Sequence, residues 1–222
     1  MKKVFELIQL KKLQNYKIKI LISEDNSRDD TLKIAKQIRE KNKSIVFLKD
    51  NKKRLNYGGN IKSCLDYALK NNFHYALMVH GDGQYHLKYI LPIIKKLEKF
   101  DCAAVCGSRM MIKKNAINGN MPFYKFVGNI FLTKLFNLLY STKFTDCHSG
   151  YWIYNFKYIK KKMLSNLTNS FNFDNQMRIK LVKNKLSIKE IPIRTIYGSE
   201  RSSAHLTYAL RFFFETIIKK FC

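Results

Sequence analysis

Short apolar runs alternate along this chain with segments whose apolar residues recur every three or four positions. Residues 1–14 space Val4, Leu7, Ile8, Leu10 and Leu13 as an amphipathic helix. Residues 18–22, 45–48 and 75–79 read as strands, each short, apolar and bounded by polar residues. Between them, Leu32, Ile34, Ala35 and Ile38 continue one helix and residues 61–70 form another. A helix over residues 87–100, with Pro92 in its early portion, leads to a fourth strand at residues 101–106. This alternation predicts an α/β domain. The pattern then changes. Residues 110–121 are a basic, Asn-rich loop carrying Lys113 and Lys114, and residues 123–140 a long apolar and aromatic helix. A polar turn at 145–150 precedes a strand at 151–154, a helix at 173–183 and a strand at 187–193 closed by Pro192. A polar loop at 197–203 carries Arg201, and residues 206–221 form an aromatic, basic, amphipathic helix. No internal repeat or low-complexity linker interrupts the chain.

The length of 222 residues suits one domain with a substantial core. The net charge of +26 fits nucleic acid, an anionic membrane surface or phosphate-bearing substrates. A nucleic-acid partner is not expected, because the aromatics are spread as core residues and form no stacking platform. The five cysteines are odd in number and contain no CxxC pair, which predicts a reducing compartment without structural zinc. The first twelve residues carry charges throughout, unlike a signal peptide, and no run approaches roughly 18 apolar residues. A cytoplasmic protein, peripheral at the membrane face, is the expectation.

The candidate chemistry lies after the strands, where open α/β sheets bind ligands. His80-Gly81-Asp82-Gly83-Gln84 leaves the third strand. Its glycines permit close backbone approach, and Asp82, His80 and Gln84 offer ligands for a divalent ion; an ordinary polar turn reads equally well. Residues 23–31 are an acidic and small-polar loop, with Ser27, Asp29 or Asp30 as candidate helix caps. Asn56-Tyr57-Gly58-Gly59-Asn60 opens a helix, either as a phosphate-binding turn or as a plain loop-to-helix junction.

Taken in order, these loops resemble the family-2 glycosyltransferases of the GT-A fold, and within them the polyprenyl-phosphate sugar transferases. Glu24-Asp25-Asn26-Ser27-Arg28-Asp29-Asp30-Thr31 resembles the family's DDGSxDxT loop, Asn56-Tyr57-Gly58-Gly59-Asn60 its N-x-G-x-x opening, and His80-Gly81-Asp82-Gly83-Gln84-Tyr85 its DxDxQ segment. Gly107-Ser108-Arg109 resembles its GSR, and Asp146-Cys147-His148-Ser149-Gly150-Tyr151 its D-x-x-SGF/Y turn. Phe173-Asp174 and Glu190-Ile191-Pro192-Ile193 resemble its late acidic helix and EvPi strand. Together these motifs span roughly residues 18–210.

The resemblance implies a Rossmann-like, mixed and mostly parallel sheet over residues 1–205, followed by a membrane-facing helix at 206–222. It implies an inverting transfer of sugar from a nucleotide diphosphate sugar to a polyprenyl-phosphate or glycan acceptor, assisted by Mn²⁺ or Mg²⁺. Asp82 would hold the metal with Gln84 and His80, and Glu24, Asp25, Asn56 and Gly58 would contact the nucleotide. Arg109, Lys125 and Asn129 would hold phosphate. For a hydroxyl acceptor, Asp146 or Asp174 would be the base. His148 and His205 read as structural or surface residues. Two departures stand out. The family begins with a strand and a P-x-x-N-E loop that nothing here matches, so one strand and part of the base pocket are expected to be lacking, as in a truncated and catalytically impaired member that binds a membrane or partner. His80 stands where the family has the first acid of its DxD.

Overall fold

The computed structural model describes residues 13, 15–195, 197 and 206–221. The helix expected over residues 1–14 lies outside the described residues except for Leu13, and so do Arg201 and His205.

Two sheets carry the six strands found among the described residues. The first is a parallel pair, β1 (Ile20–Glu24) and β2 (Val46–Asp50), joined through helix α1 (Thr31–Lys41). Helix α2 (Asn56–Lys70) then leads to β3 (Tyr75–Leu77), the first strand of the second sheet. Helix α3 (Ile90–Phe100) leads to β4 (Ala104–Ser108), and the short α4 (Lys113–Ile117) and long α5 (Phe123–Tyr140) follow. The chain continues through β5 (Trp152–Asn155), a one-turn helix α6 (Lys161–Leu164), α7 (Phe173–Lys183), β6 (Ile188–Pro192) and α8 (Leu206–Phe221). The second sheet has the order β3-β5-β4-β6, with β5 antiparallel to both neighbours and β4 parallel to β6. Strands β3, β4 and β6 therefore run one way and only β5 is reversed.

This is the expected α/β architecture with one difference. The strands divide between two sheets, and β1 and β3 do not pair.

Both faces of the second sheet are covered, which is why its central strands are buried throughout and mostly apolar. Period-two alternation sends Ala104, Cys106, Trp152 and Tyr154 to one side, where they pack with Ile61 and Leu65 of α2 and Phe173, Met177 and Leu181 of α7. Val105 and Ile153 face the other side, against Ile90, Ile93, Ile94 and Leu97 of α3. Those four residues follow the i, i+3, i+4, i+7 spacing that makes α3 amphipathic. Its end is set by Asp101, whose φ of 39° is left-handed and stops the helix. Cys102, Cys106 and Cys147 are buried free thiols.

Helix α8 is seated on α5 through Phe212 and Phe213, which join Leu132, Phe136 and Tyr140 in a third cluster. The Thr216 hydroxyl accepts from Asn175 Nδ2 at 3.2 Å and donates to the Phe212 carbonyl at 2.6 Å. No helix among the described residues is long and apolar enough to cross a membrane.

Candidate active site

The carboxyl ends of β1, β3 and β4 open onto one cavity, whose lining includes Glu24, His80, Asp82, Arg109, Lys125 and Asp174. The loop after β1 is ordered by its own acids. Glu24, 3% exposed, accepts the N–H of Ser27 at 2.7 Å and of Asn26 at 3.0 Å. Desolvation works against its charge, but the bonds from Ser27 and Asn26 outweigh it and lower its pKa. Asp25 reaches across to α2, accepting the N–H of Leu55 at 2.7 Å and of Asn56 at 2.9 Å. It therefore caps a helix start that has no cap of its own.

The glycine turn behaves differently from a phosphate cradle. Helix α2 already begins at Asn56, and the Gly58 N–H donates to the Asn169 carbonyl at 2.8 Å. A Cβ at Gly58 would lie 2.5 Å from the Thr168 carbonyl oxygen and 2.7 Å from Phe173 Cβ. The expectation that Gly58 offers its N–H to a nucleotide is corrected: that donor is committed, and the glycine lets residues 168–173 pack over α2.

After β3, Asp82 stands on an exposed turn, its Oδ1 accepting the Gln84 N–H at 3.0 Å, with Gly83 left-handed at φ 73°. His80 points elsewhere. Its half-buried ring lies edge-on to Tyr57 and Tyr85, with centroids 5.6 and 5.2 Å away, and Nε2 is 3.4 Å from the Tyr57 hydroxyl. Gly150 closes this box, since a Cβ there would sit 2.6 Å from the His80 ring. Desolvation lowers the His80 pKa, opposed by the charge of Asp82. The His80 ring thus sits between two aromatic rings, with Nε2 toward the Tyr57 hydroxyl, while it still lines the cavity. Among the described residues no three His, Cys, Asp or Glu side chains form a metal-holding group. Asp82 suits a hard divalent ion that takes its other oxygens from substrate phosphates and water, as Mg²⁺ commonly does.

Tyr57 ties this region to α7. Its hydroxyl donates to Asp174 Oδ2 at 2.6 Å, while Asp174 Oδ1 is buried with no hydrogen-bond partner among the described residues. Desolvation raises the Asp174 pKa to about 6, against the Tyr57 bond and the charge of Arg178, which pull it down. A carboxyl with an unused oxygen and a pKa near neutrality is fit to accept a proton.

Beyond β4, Arg109 and Asp146 form a buried fork. Arg109 Nε lies 2.7 Å from Asp146 Oδ2 and Nη2 2.9 Å from Oδ1; the backbone N–H groups of Arg109 and His148 also donate to this carboxylate. Burial pushes the Asp146 pKa up, but the Arg109 charge and hydrogen bonds overwhelm that and hold it well below the ordinary carboxylate range. With its lone pairs committed and its basicity lowered, Asp146 does not serve as the base expected of it; it positions Arg109. Glu190 steadies the turn, accepting the N–H of Thr145 at 2.9 Å and of Asp146 at 3.1 Å. The remaining donor, Arg109 Nη1, reaches the Tyr197 hydroxyl at 2.8 Å. Lys125 Nζ stands 5.8 Å from the Tyr197 ring centre, and desolvation followed by the Arg109 charge lowers its pKa. Asn129 lies one turn further along α5 and lines the same cavity. Arg109 and Lys125 thus meet at Tyr197 with Asn129 nearby on α5, and the cavity they line is also lined by Glu24 and Asp82.

Tyr57, Tyr85, Tyr197 and Glu190 were not singled out as site residues in the sequence reading. Tyr57, Tyr85 and Glu190 stand inside the motifs quoted above, which is the available signal. Tyr197 is 88 residues from Arg109 and carried none.

A family profile described as Glycosyl transferase family 2 matches residues 5–162. An uncharacterised protein of Methanocaldococcus jannaschii is 28% identical over 223 residues, covering 99% of this chain and 87% of the relative. The UDP-N-acetylglucosamine–dolichyl-phosphate N-acetylglucosaminyltransferase of Methanococcus voltae is 30% identical over 204 residues, 83% of this chain and 78% of that one. The dolichyl-phosphate beta-glucosyltransferase of Dictyostelium discoideum is 31% identical over 129 residues, 52% of this chain and 38% of the relative. With acidic loops after β1 and β3, a carboxylate-held arginine after β4 and a profile match across most of its length, the chain belongs to glycosyltransferase family 2.

Proposed function

We propose that this glycosyltransferase moves a sugar from a nucleotide diphosphate sugar to a polyprenyl phosphate, with inversion, at the cytoplasmic face of a membrane. The observation that carries this reading is the set of groups lining one cavity: the acids Glu24 and Asp82, and an arginine fixed by a buried carboxylate together with Lys125 and Asn129. The two relatives named above for dolichyl-phosphate chemistry support the acceptor class.

An acceptor phosphate oxygen is already a nucleophile. It attacks the anomeric carbon, the bond from that carbon to the donor diphosphate breaks, and the nucleotide diphosphate leaves. No general base is needed. Arg109, Lys125 and Asn129 together bring the anionic acceptor to the sugar and screen the two anions from each other. Asp82, with Gln84 beside it, would hold a divalent ion, whose chemistry there is neutralisation of charge on the leaving diphosphate. For a hydroxyl acceptor, Asp174 would take the proton.

Access from a bilayer is supported by an apolar outer face across α5 and α8. Phe123, Phe131 and Leu138 of α5 and Leu210, Phe214 and Ile218 of α8 are exposed, and Phe131 stacks on Phe213 across the seam. Lys219 and Lys220 in the last turn of α8 suit an anionic surface.

Calorimetric titration with UDP, GDP and their sugars, with and without Mn²⁺, tests the donor side. The expected result is metal-enhanced binding of one nucleotide series, lost in Asp82→Ala. A folded protein that binds no nucleotide would overturn the reading and favour a second one, a family member that binds without transferring; the unpaired β1 and β3 edges are the observation on its side.

A further inference from the structure

Tyr197 reaches the site because the segment after β6 is tied down on its way there. The Arg194 N–H donates to the Tyr89 hydroxyl at 2.8 Å, and Arg194 Nη2 to the Asn118 carbonyl at 2.6 Å. Thr195 bridges Tyr85 in antiparallel fashion, and the Tyr197 N–H donates to the Gly119 carbonyl at 2.9 Å. Gly119 permits this approach, since a Cβ there would lie 2.1 Å from the Thr195 carbonyl oxygen. The Tyr197 ring then packs with Met110, Ala116 and Met121, in the turn between α4 and α5 and just before it. Its ring is held by packing, which leaves the hydroxyl to be explained.

That hydroxyl accepts from Arg109 Nη1 at 2.8 Å. Asp146 occupies the other edge of the guanidinium through Nε and Nη2, and Arg109 is only 8% exposed. The charge of Arg109 is therefore presented through Tyr197. A phenol oxygen that accepts from a cation keeps its own proton, and the cation makes that O–H a stronger donor. Among the described residues, nothing accepts this proton. Lys125 Nζ stands 5.8 Å from the centre of the same ring and enters none of the ion pairs found among the described residues. Arg109, Lys125 and Tyr197 all line the cavity. Desolvation and then the Arg109 charge lower the Lys125 pKa, a repulsion that an anion bound between them would relieve.

We infer that Tyr197 binds the phosphate of the acceptor directly: its hydroxyl donates to one terminal oxygen, Lys125 donates to another, and Arg109 acts through the tyrosine by holding and polarising that hydroxyl. A phosphate monoester has the oxygens to take both donors and the charge to offset both cations; an alcohol has neither. The surroundings favour the acceptor over the donor diphosphate as the source of this phosphate. Lys125 Nζ is 6.0 Å from the ring centre of Tyr124, which lines the cavity and is exposed, and Phe123 and Val127 beside it on α5 are exposed as well. An isoprenoid tail leaving the phosphate meets apolar surface there. That the bound monoester is a sugar acceptor rests on the transferase reading; the phosphate contact does not.

The test titrates citronellyl phosphate, a short isoprenoid phosphate monoester, into the whole chain by calorimetry without nucleotide, with UDP and GDP titrated separately. In Tyr197→Phe the ring still fills its cluster, so the thermal melt should match the native one. Citronellyl phosphate should bind about ten-fold more weakly, the size of one hydrogen bond to a charged group, and nucleotide binding should be unchanged. In transfer assays KM for a polyprenyl phosphate should rise by a similar factor with little change in kcat. Equal binding by native protein and variant overturns the proposal, and so does a loss confined to nucleotide diphosphate. Tighter binding by the variant overturns it too, since the hydroxyl would then be blocking Arg109 Nη1. A native chain that binds no phosphate monoester also overturns it, and the nucleotide titration then shows whether the transferase reading falls as well.

Discussion

Replacing Asp146 by Asn keeps the shape of the side chain and removes its charge. In the native protein this carboxylate is fully buried and receives Arg109 Nε and Nη2, the Arg109 N–H and the His148 N–H. An amide has one acceptor oxygen, so its NH₂ group must face donors on one side. The Arg109 guanidinium, itself only 8% exposed, is left without a counter-charge. Removing one partner of a buried ion pair costs about 3–5 kcal/mol. That is a large part of the roughly 5–15 kcal/mol that holds a domain together. For a chain of this size, each kcal/mol moves Tm by about 2–4 °C, so the expected fall is about 6–20 °C. Thermal and urea unfolding at neutral pH measure it, beside the double variant Arg109→Met/Asp146→Leu. Because the double variant removes both charges, it should recover most of the loss. The sign with pH follows from the depressed Asp146 pKa. Its contribution is fully present above the unfolded-state value of about 3.9 and is lost as pH falls toward the folded value, so the Asn variant should show a flatter acid limb. A single variant within about 0.5 kcal/mol of the native protein, or a double variant as damaged as the sum of its parts, would refute the reasoning.

Asp174 titrates in the opposite sense. Its folded pKa of about 6 lies above the unfolded value, so its charge opposes folding increasingly as pH rises from about 4 to 6. In Asp174→Asn, where the new amide oxygen still accepts from Tyr57, stability relative to the native protein should improve across that window and level off above it; a difference that does not change with pH contradicts this. Gly58→Ala places a methyl 2.5 Å from the Thr168 carbonyl oxygen, and about 1–3 kcal/mol should be lost in a thermal melt. A melt unchanged from the native one would show that residues 168–173 give way freely. Lys125→Gln, at a half-buried position with no ion pair among the described residues, should alter stability by no more than about 0.5 kcal/mol. It should raise KM for a phosphate acceptor, and a variant that transfers normally contradicts the assignment of Lys125 to the acceptor phosphate.

Helices were the most legible part of the sequence. Residues 123–140, 173–183 and 206–221 form helices with the expected bounds, because periodic apolar spacing is a local property of the chain. Strand ends moved by a few residues, since pairing fixes them: β1 runs to Glu24 because Asp50 of β2 lies opposite. The split into two sheets and the reversal of β5 carry no local signal at all. The same contrast holds at the site. Motif order placed Glu24, Asp82, Arg109 and Lys125 around one cavity. It did not say what each side chain was already bound to. Asp25 caps a helix thirty residues away, Tyr57 holds Asp174 from 117 residues away, and Asp146 belongs to Arg109. Such pairings depend on how elements dock, and the spacing of residues within one element does not encode them.

The most direct measurement of the central claim is transfer of radiolabelled sugar from UDP- and GDP-sugars to polyprenyl phosphate in vesicles, with the matching polyprenol as comparison. The account predicts a polyprenyl-phosphate sugar product, little or none on the alcohol, and loss of product in Asp82→Ala and Arg109→Ala. Transfer to the alcohol as readily as to the phosphate, or product formation undiminished in both variants, would contradict it.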